Sequence, residues 1–146
     1  GIGGVILCFS ILGKALSLAA GLAVIGSVAQ ADTIYDCAFE ENGANHGWVP
    51  TLVLVSYVEG AKKVLVSDAM ILSVFGEPRL QDVKRDNERR LLIEWVLGLE
   101  ASDRSRAGFR FVLNIQKQSK AATINVFPIG YVNQFGAIGT CKVTKG

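Results

Sequence analysis

Residues 108–116 read GFRFVLNIQ, and their alternation decides the fold class. Phe109, Phe111, Leu113 and Ile115 fall on one side of an extended chain, with Arg110, Asn114 and Gln116 on the other. A period of two marks a strand with one buried face, because successive side chains of a pleated backbone point to opposite sides. The same period runs upstream through RRLLIEWVLGL, residues 89–99. There Leu91, Ile93, Trp95, Leu97 and Leu99 share one face, and Arg90, Glu94 and Gly98 share the other. Downstream, AATINVFP (121–128) ends at a proline, and GAIGTCKV (136–143) supplies a last strand carrying Cys141.

Working towards the N-terminus, TLVLVSYV (51–58) and KKVLVS (62–67) flank Glu59-Gly60-Ala61, which reads as a hairpin turn. RLQDVKRDNERRLL (79–92) reads as a strand, a charged turn at Asp86-Asn87, and the start of the long strand after it. One segment breaks the period. In SDAMILSVFGEP (67–78), Asp68 can cap a short helix, Gly76 can end it and Pro78 prevents its continuation. Met70, Ile71, Val74 and Phe75 then share a helical face, with a further strand as the alternative. The sum is an all-β domain of seven to eight strands with one short helix. Turns recur roughly every 8 to 12 residues, as in an antiparallel barrel or sandwich.

Residues 1–31 differ in kind. They carry one charged side chain, Lys14, and one aromatic, Phe9, whereas all 13 acidic residues lie between Asp32 and Asp103. The run ALSLAAGLAVIGSV (15–28) has the length of a signal-peptide apolar core and ends at Ala29-Gln30-Ala31, an A-x-A cleavage pattern. Cleavage after Ala31 leaves a mature domain, 32–146, that starts at Asp32. The alternative is an uncleaved membrane anchor, disfavoured by a lysine at bilayer depth. A lipoprotein reading fails because Leu7, not a small residue, precedes Cys8. The only methionine is Met70, so the translated start is expected to lie elsewhere.

Cleavage leaves two of three cysteines, Cys37 and Cys141, one near each end of the mature chain. An even pair in an exported domain implies a disulfide. Charge is polarised: seven basic and 13 acidic residues lie in 32–103, but seven basic and no acidic ones in 104–146. The basic strands are expected to pair with acidic neighbours across the sheet. No interleaving of Lys and Arg with aromatics suggests a nucleic-acid partner.

Little in the sequence points to catalysis. His46, the only histidine, sits among Gly, Asn and Ala, the composition of a solvated loop. Asp68, Glu77 and Glu94 offer no spacing that singles out a carboxylate pair, and Glu94 reads as an outward-facing strand residue. Neither a metal site nor a cofactor is indicated. Trp48, Trp95, Tyr131 and Phe135 are the candidate ligand or surface residues, with core packing the competing account for the two tryptophans.

Several segments in order also carry a resemblance: YDCAF, GWVP, VSDAMI, GEP, RDNERR, FRFVLNIQK and PIGYVNQFGAIGTCK. The closing pattern P-x-G-Y-x-N-x-F-x-A-x-G-x-C is met by Pro128, Gly130, Tyr131, Asn133, Phe135, Ala137, Gly139 and Cys141. The set resembles a family of small exported, signal-peptide-bearing bacterial proteins of uncharacterised function. The resemblance implies a secreted, disulfide-closed domain, periplasmic or extracellular, and supplies no catalytic residues. The expectation is a noncatalytic binding module for a small apolar ligand, lipid or envelope component. A protein-interaction or inhibitor module is the alternative, with a carboxylate-dependent hydrolase third.

Overall fold

The computed structural model describes residues 32–41, 43–45, 47–100 and 106–145. The expected leader and its cleavage residues Ala29 and Ala31, together with His46, lie outside the described residues. Eight strands run alternately up and down: β1 (Thr33–Phe39), β2 (Leu52–Tyr57), β3 (Lys63–Ser67), β4 (Arg79–Asp86), β5 (Arg90–Glu100), β6 (Arg106–Gln116), β7 (Ala121–Pro128) and β8 (Phe135–Lys145). Each pairs antiparallel with its neighbours in sequence, and β8 returns to pair with β1. Of the two architectures that alternation allows, the chain forms a closed barrel, which leaves no edge strand unpaired.

The strand alternation points inward as read. Phe109, Phe111, Leu113 and Ile115 of β6 and Leu91, Ile93, Trp95 and Leu97 of β5 are buried, joined by Tyr35, Val53, Val55, Val64, Val66, Ile124 and Val126. Trp95 stacks on Phe111 with centroids 5.4 Å apart. Eight strands enclose a space just wide enough for side chains to fill, and these residues fill it. Burying each large one contributes about 1.5–3 kcal/mol.

The seam lies between β1 and β8. Cys37 and Cys141 stand directly opposite in register and form the disulfide, spanning a sequence separation of 104. β8 divides its pairing: residues 135–140 bond to β7 and residues 139–145 to β1, overlapping only at Gly139 and Thr140. At that crossover a Cβ on Gly139 would overlap the Ala38 carbonyl, so the close approach of β1 requires glycine.

The two barrel ends are connected differently. At one, the turn end, the connections are the short turns 58–62, 87–89 and 117–120, with Gly60 in the left-handed conformation its hairpin needs. Both ends of the described chain also lie there, Thr33 opposite Lys145. At the other, the loop end, run segment 40–51, which holds a 3-10 turn at Gly43–Asn45, segment 129–134 and a helix, α1 (Ala69–Phe75). The Asp68 carboxylate accepts a 2.7 Å bond from the Ile71 N–H, and Gly76 ends α1 in the left-handed conformation, donating its N–H to the Leu72 carbonyl. Only Ile71 of α1 is fully buried; Val74 and Phe75, expected on the same buried face, are exposed. At seven residues, α1 seats Ile71 fully and Met70 partly against the core, too short a contact to bury a whole stripe.

Candidate functional site

At the turn end three inward side chains converge from alternate strands. Tyr57 comes from β2, Asp86 from the end of β4, and Lys117 from just beyond β6. The Tyr57 hydroxyl lies 2.7 and 2.9 Å from the two Asp86 oxygens, and Lys117 Nζ donates to Asp86 at 2.5 Å and to Tyr57 Oη at 3.2 Å. The Gly60 N–H adds a weaker 3.4 Å bond, and Lys117 Nζ sits 5.0 Å from the Tyr57 ring centroid. Burial pushes the Asp86 carboxyl up, but hydrogen bonds from Lys117 and Tyr57 outweigh it and hold the group below its usual range. Burial pulls Lys117 down, and the same bonds carry it above its usual value. Tyr57 is raised by burial and by its bond to Asp86. Every partner is satisfied, so the cluster is a stopper tying β2, β4 and β6 together.

Nothing in the pattern RLQDVKRD announces Asp86 as an inward residue. A bulge between Val83 and Arg85 inserts Lys84 as an extra residue, so Arg85 pairs with outward Leu92 and Asp86 with inward Leu91. Strict alternation would have turned Arg85 into the barrel instead. Polar charge pairing continues outside it. Lys63 bridges Asp82 at 2.6 Å, Glu94 accepts from Arg110 and lies 3.8 Å from Lys84, and Arg110 covers the Phe127 ring at 4.4 Å. Glu94 thus faces outward and takes Arg110 of β6, the one basic residue of the C-terminal strands that is ion-paired among the described residues. The three carboxylates weighed for hydrolysis are occupied separately: Asp68 caps α1, Glu94 holds Arg110, and Glu77 lies 3.8 Å from Arg79.

At the loop end the surface is apolar and concave. A groove of about 770 Å³ runs along the outside of the barrel between β2 and α1. Its floor is Leu52 and Leu54, the outward residues of β2, and its walls include Val49 and Pro50 on one side and Met70 and Leu72 on the other. Leu52 is 61% exposed although its strand neighbour Val53 is fully buried. Asp36, Glu41 and Asp68 also line the groove. Burial raises the pKa of Asp68, opposed by the backbone N–H bond from Ile71, and its second oxygen has no hydrogen-bond partner among the described residues. Cavities of this size are typical of ligand sites, but this one lies on the wall and not inside.

The four aromatic candidates do not form one pocket. Trp95 is deep in the core, and its indole N–H finds no partner among the described residues. Trp48 stacks on Phe109 with centroids 4.6 Å apart, plugging the loop end, and Phe135 packs partly buried against the core. Tyr131 is 69% exposed on the 129–134 segment, beside fully exposed Val132. Asp32 accepts a 3.0 Å bond from the Ser56 hydroxyl. Among the described residues, no three His, Cys, Asp or Glu side chains are grouped to hold a metal ion. The groove residues Leu52, Leu54 and Leu72 escape sequence reading because their exposure depends on which element crosses above them. One signal exists: Leu52 and Leu54 are apolar on the face of β2 that alternation assigns outward. Comparison with protein-family models, curated proteins and solved structures finds no match.

Proposed function

We propose that the protein is an exported, noncatalytic binding module that holds its partner against the outer wall of the barrel at the loop end. The observation that carries this reading is the filled interior, with Trp95 stacked on Phe111 and Ile71 seated in the loop-end mouth. A packed interior leaves binding to the outer surface, where the groove over Leu52 and Leu54 is the largest apolar concavity described. Leu52, Leu54 and Leu72 differ from the other exposed apolar residues in sharing one concave surface with Val49, Pro50 and Met70, a contiguous patch of the kind contact surfaces use. The ion-paired and capping roles of Asp86, Asp82, Glu94 and Asp68 favour a module without catalysis. Export rests on the leader pattern and on a disulfide of the kind that persists in oxidising compartments.

The test uses a neutral apolar probe, N-phenyl-1-naphthylamine, titrated into isotopically labelled protein. Saturable binding with amide shifts at Leu52, Leu54, Met70 and Leu72 is expected, and Leu54→Asp should abolish it. Shifts confined to Trp95 and Phe111 would place the site inside and overturn the reading. Export is checked by mass: protein recovered outside the cytoplasm should begin at Asp32 and contain no free thiol.

A further inference from the structure

The groove belongs to a wider acidic corner. Glu41 lines it and also two further concavities, of about 580 and 350 Å³, that Glu40 lines as well. None of these three surfaces includes a lysine or arginine among its described lining residues. Of the acids elsewhere, Asp82 is paired with Lys63, Asp86 with Lys117, Glu94 with Arg110 and Glu77 with Arg79, whereas Asp32, Glu59 and Glu88 are in no ion pair among the described residues. Among the described residues Asp36, Glu40 and Glu41 form no ion pair, even though Lys142 stands opposite Asp36 across β1 and β8. Among the described residues, a chain with a formal charge of +2 thus has carboxylates in no ion pair beside its most apolar groove.

We propose that this groove docks an amphipathic segment of a partner protein that combines apolar anchors with basic side chains. The proposal rests on the outer-wall reading given above and names the chemistry of its occupant. Leu52 and Leu54, two residues apart on one strand, present anchoring points about 7 Å apart. The apolar side chains of the segment cover them, and its lysines or arginines reach Asp36 and Glu41. The strands close into one barrel and the groove is lined by outward side chains, so recognition is assigned to side chains and not to strand addition. An anionic lipid surface is disfavoured, because the carboxylates repel the headgroups that basic patches attract.

Three 15-residue helical peptides provide the probe. Each has leucines at i, i+3, i+4 and i+7 spacing, and the remaining positions are all Lys, all Gln or all Glu. Binding is followed by fluorescence anisotropy, with thermal unfolding to confirm that each variant is folded. The Lys peptide should bind at least tenfold more tightly than the Gln peptide, and the Glu peptide least. The double variant Asp36→Asn/Glu41→Gln should weaken the Lys peptide about tenfold and leave the Gln peptide unchanged, as should raised salt for the Lys peptide. Equal binding of Lys and Gln peptides, or a Lys peptide indifferent to the double variant, overturns the basic partner and leaves the outer-wall reading standing. If no peptide binds, the amphipathic partner falls and the apolar probe alone decides the outer-wall reading; if Leu54→Asp changes binding of neither peptide nor probe, both readings fall. Sedimentation showing the groove closed within a dimer of this chain would also overturn the proposal.

Discussion

At the turn end, Tyr57, Asp86 and Lys117 satisfy one another beneath three short turns, and charge is used to close the barrel. At the loop end, Trp48 and Ile71 pack apolar mass against the core, while Asp36, Glu40 and Glu41 are in no ion pair among the described residues. The same residue types therefore do opposite work at the two ends. The turn end holds an inward, mutually bonded charge cluster, whereas the carboxylates beside the loop-end groove take part in no ion pair among the described residues. One end is finished as structure, and the other is left as surface. Deletion of a cluster side chain should accordingly cost stability at the first, and deletion of an outward groove side chain should cost binding at the second.

The largest expected effect concerns the seam that serves both ends. Replacing Cys37 and Cys141 by alanine should lower stability by up to about 4.7 kcal/mol, the chain-entropy value for a loop near 100 residues, with strain able to reduce it. Denaturant unfolding measures the loss, and hydrogen exchange should rise in β1 and β8 at both ends alike. Next, Ile71→Ala removes the one buried anchor of α1 and should cost about 2–4 kcal/mol. Exchange should quicken in α1 while Tyr57 and Asp86 keep their surroundings, which separates the two ends directly. An unchanged α1 would contradict the dominant part assigned to Ile71, its one fully buried side chain.

A smaller effect, about 2 kcal/mol, is expected for Asp86→Asn, which leaves the mostly buried Lys117 without its counter-charge. The pH dependence supplies its signature. Because the folded pKa of Asp86 lies below its unfolded value, its contribution is complete above about pH 4 and is lost as pH falls through the folded pKa. Lys117 is raised, so its contribution is complete below its unfolded pKa of about 10.4 and is lost as pH rises through the folded value. Asp68, also raised, works against Asp86 in acid. The difference between wild-type and Asp86→Asn stability isolates the stopper: it should shrink in acid, and a difference constant from pH 2 to 7 would contradict it. The smallest effect is at the wall. Leu54→Asp should change stability by no more than about 0.5 kcal/mol, and a loss of several would mean that the outer leucines are structural.

Much of the barrel is legible in the chain itself, and the contrast between its ends is less so. Alternation in 89–99 and 108–116 marks the buried faces, Asp68 and Gly76 bound α1, and Glu59-Gly60-Ala61 marks a turn. The cysteine pair follows once the leader is set aside. Closure into a barrel is not legible, because it depends on β8 meeting β1 across the whole domain. Nor is the inward turn of Asp86, since a bulge is a property of two paired strands and leaves no mark on one of them. The loop-end groove is hidden for a similar reason: Leu52 and Leu72 lie 20 positions apart in sequence and line one groove only once the chain is folded. Pairing partners, not propensities, carry the missing information.

The disulfide also fixes how the molecule would respond to tension on its two ends. Thr33 and Lys145 are adjacent, so pulling them apart peels β1 from β8 one residue pair at a time, and the hydrogen bonds do not share the force. Four pairs separate, from Thr33–Lys145 to Asp36–Lys142, before the tear meets Cys37–Cys141. There a covalent bond takes the strain, and the chain between the cysteines feels none of it. The seam is the weakest line of the barrel for only four rungs, and everything beyond them is mechanically shielded.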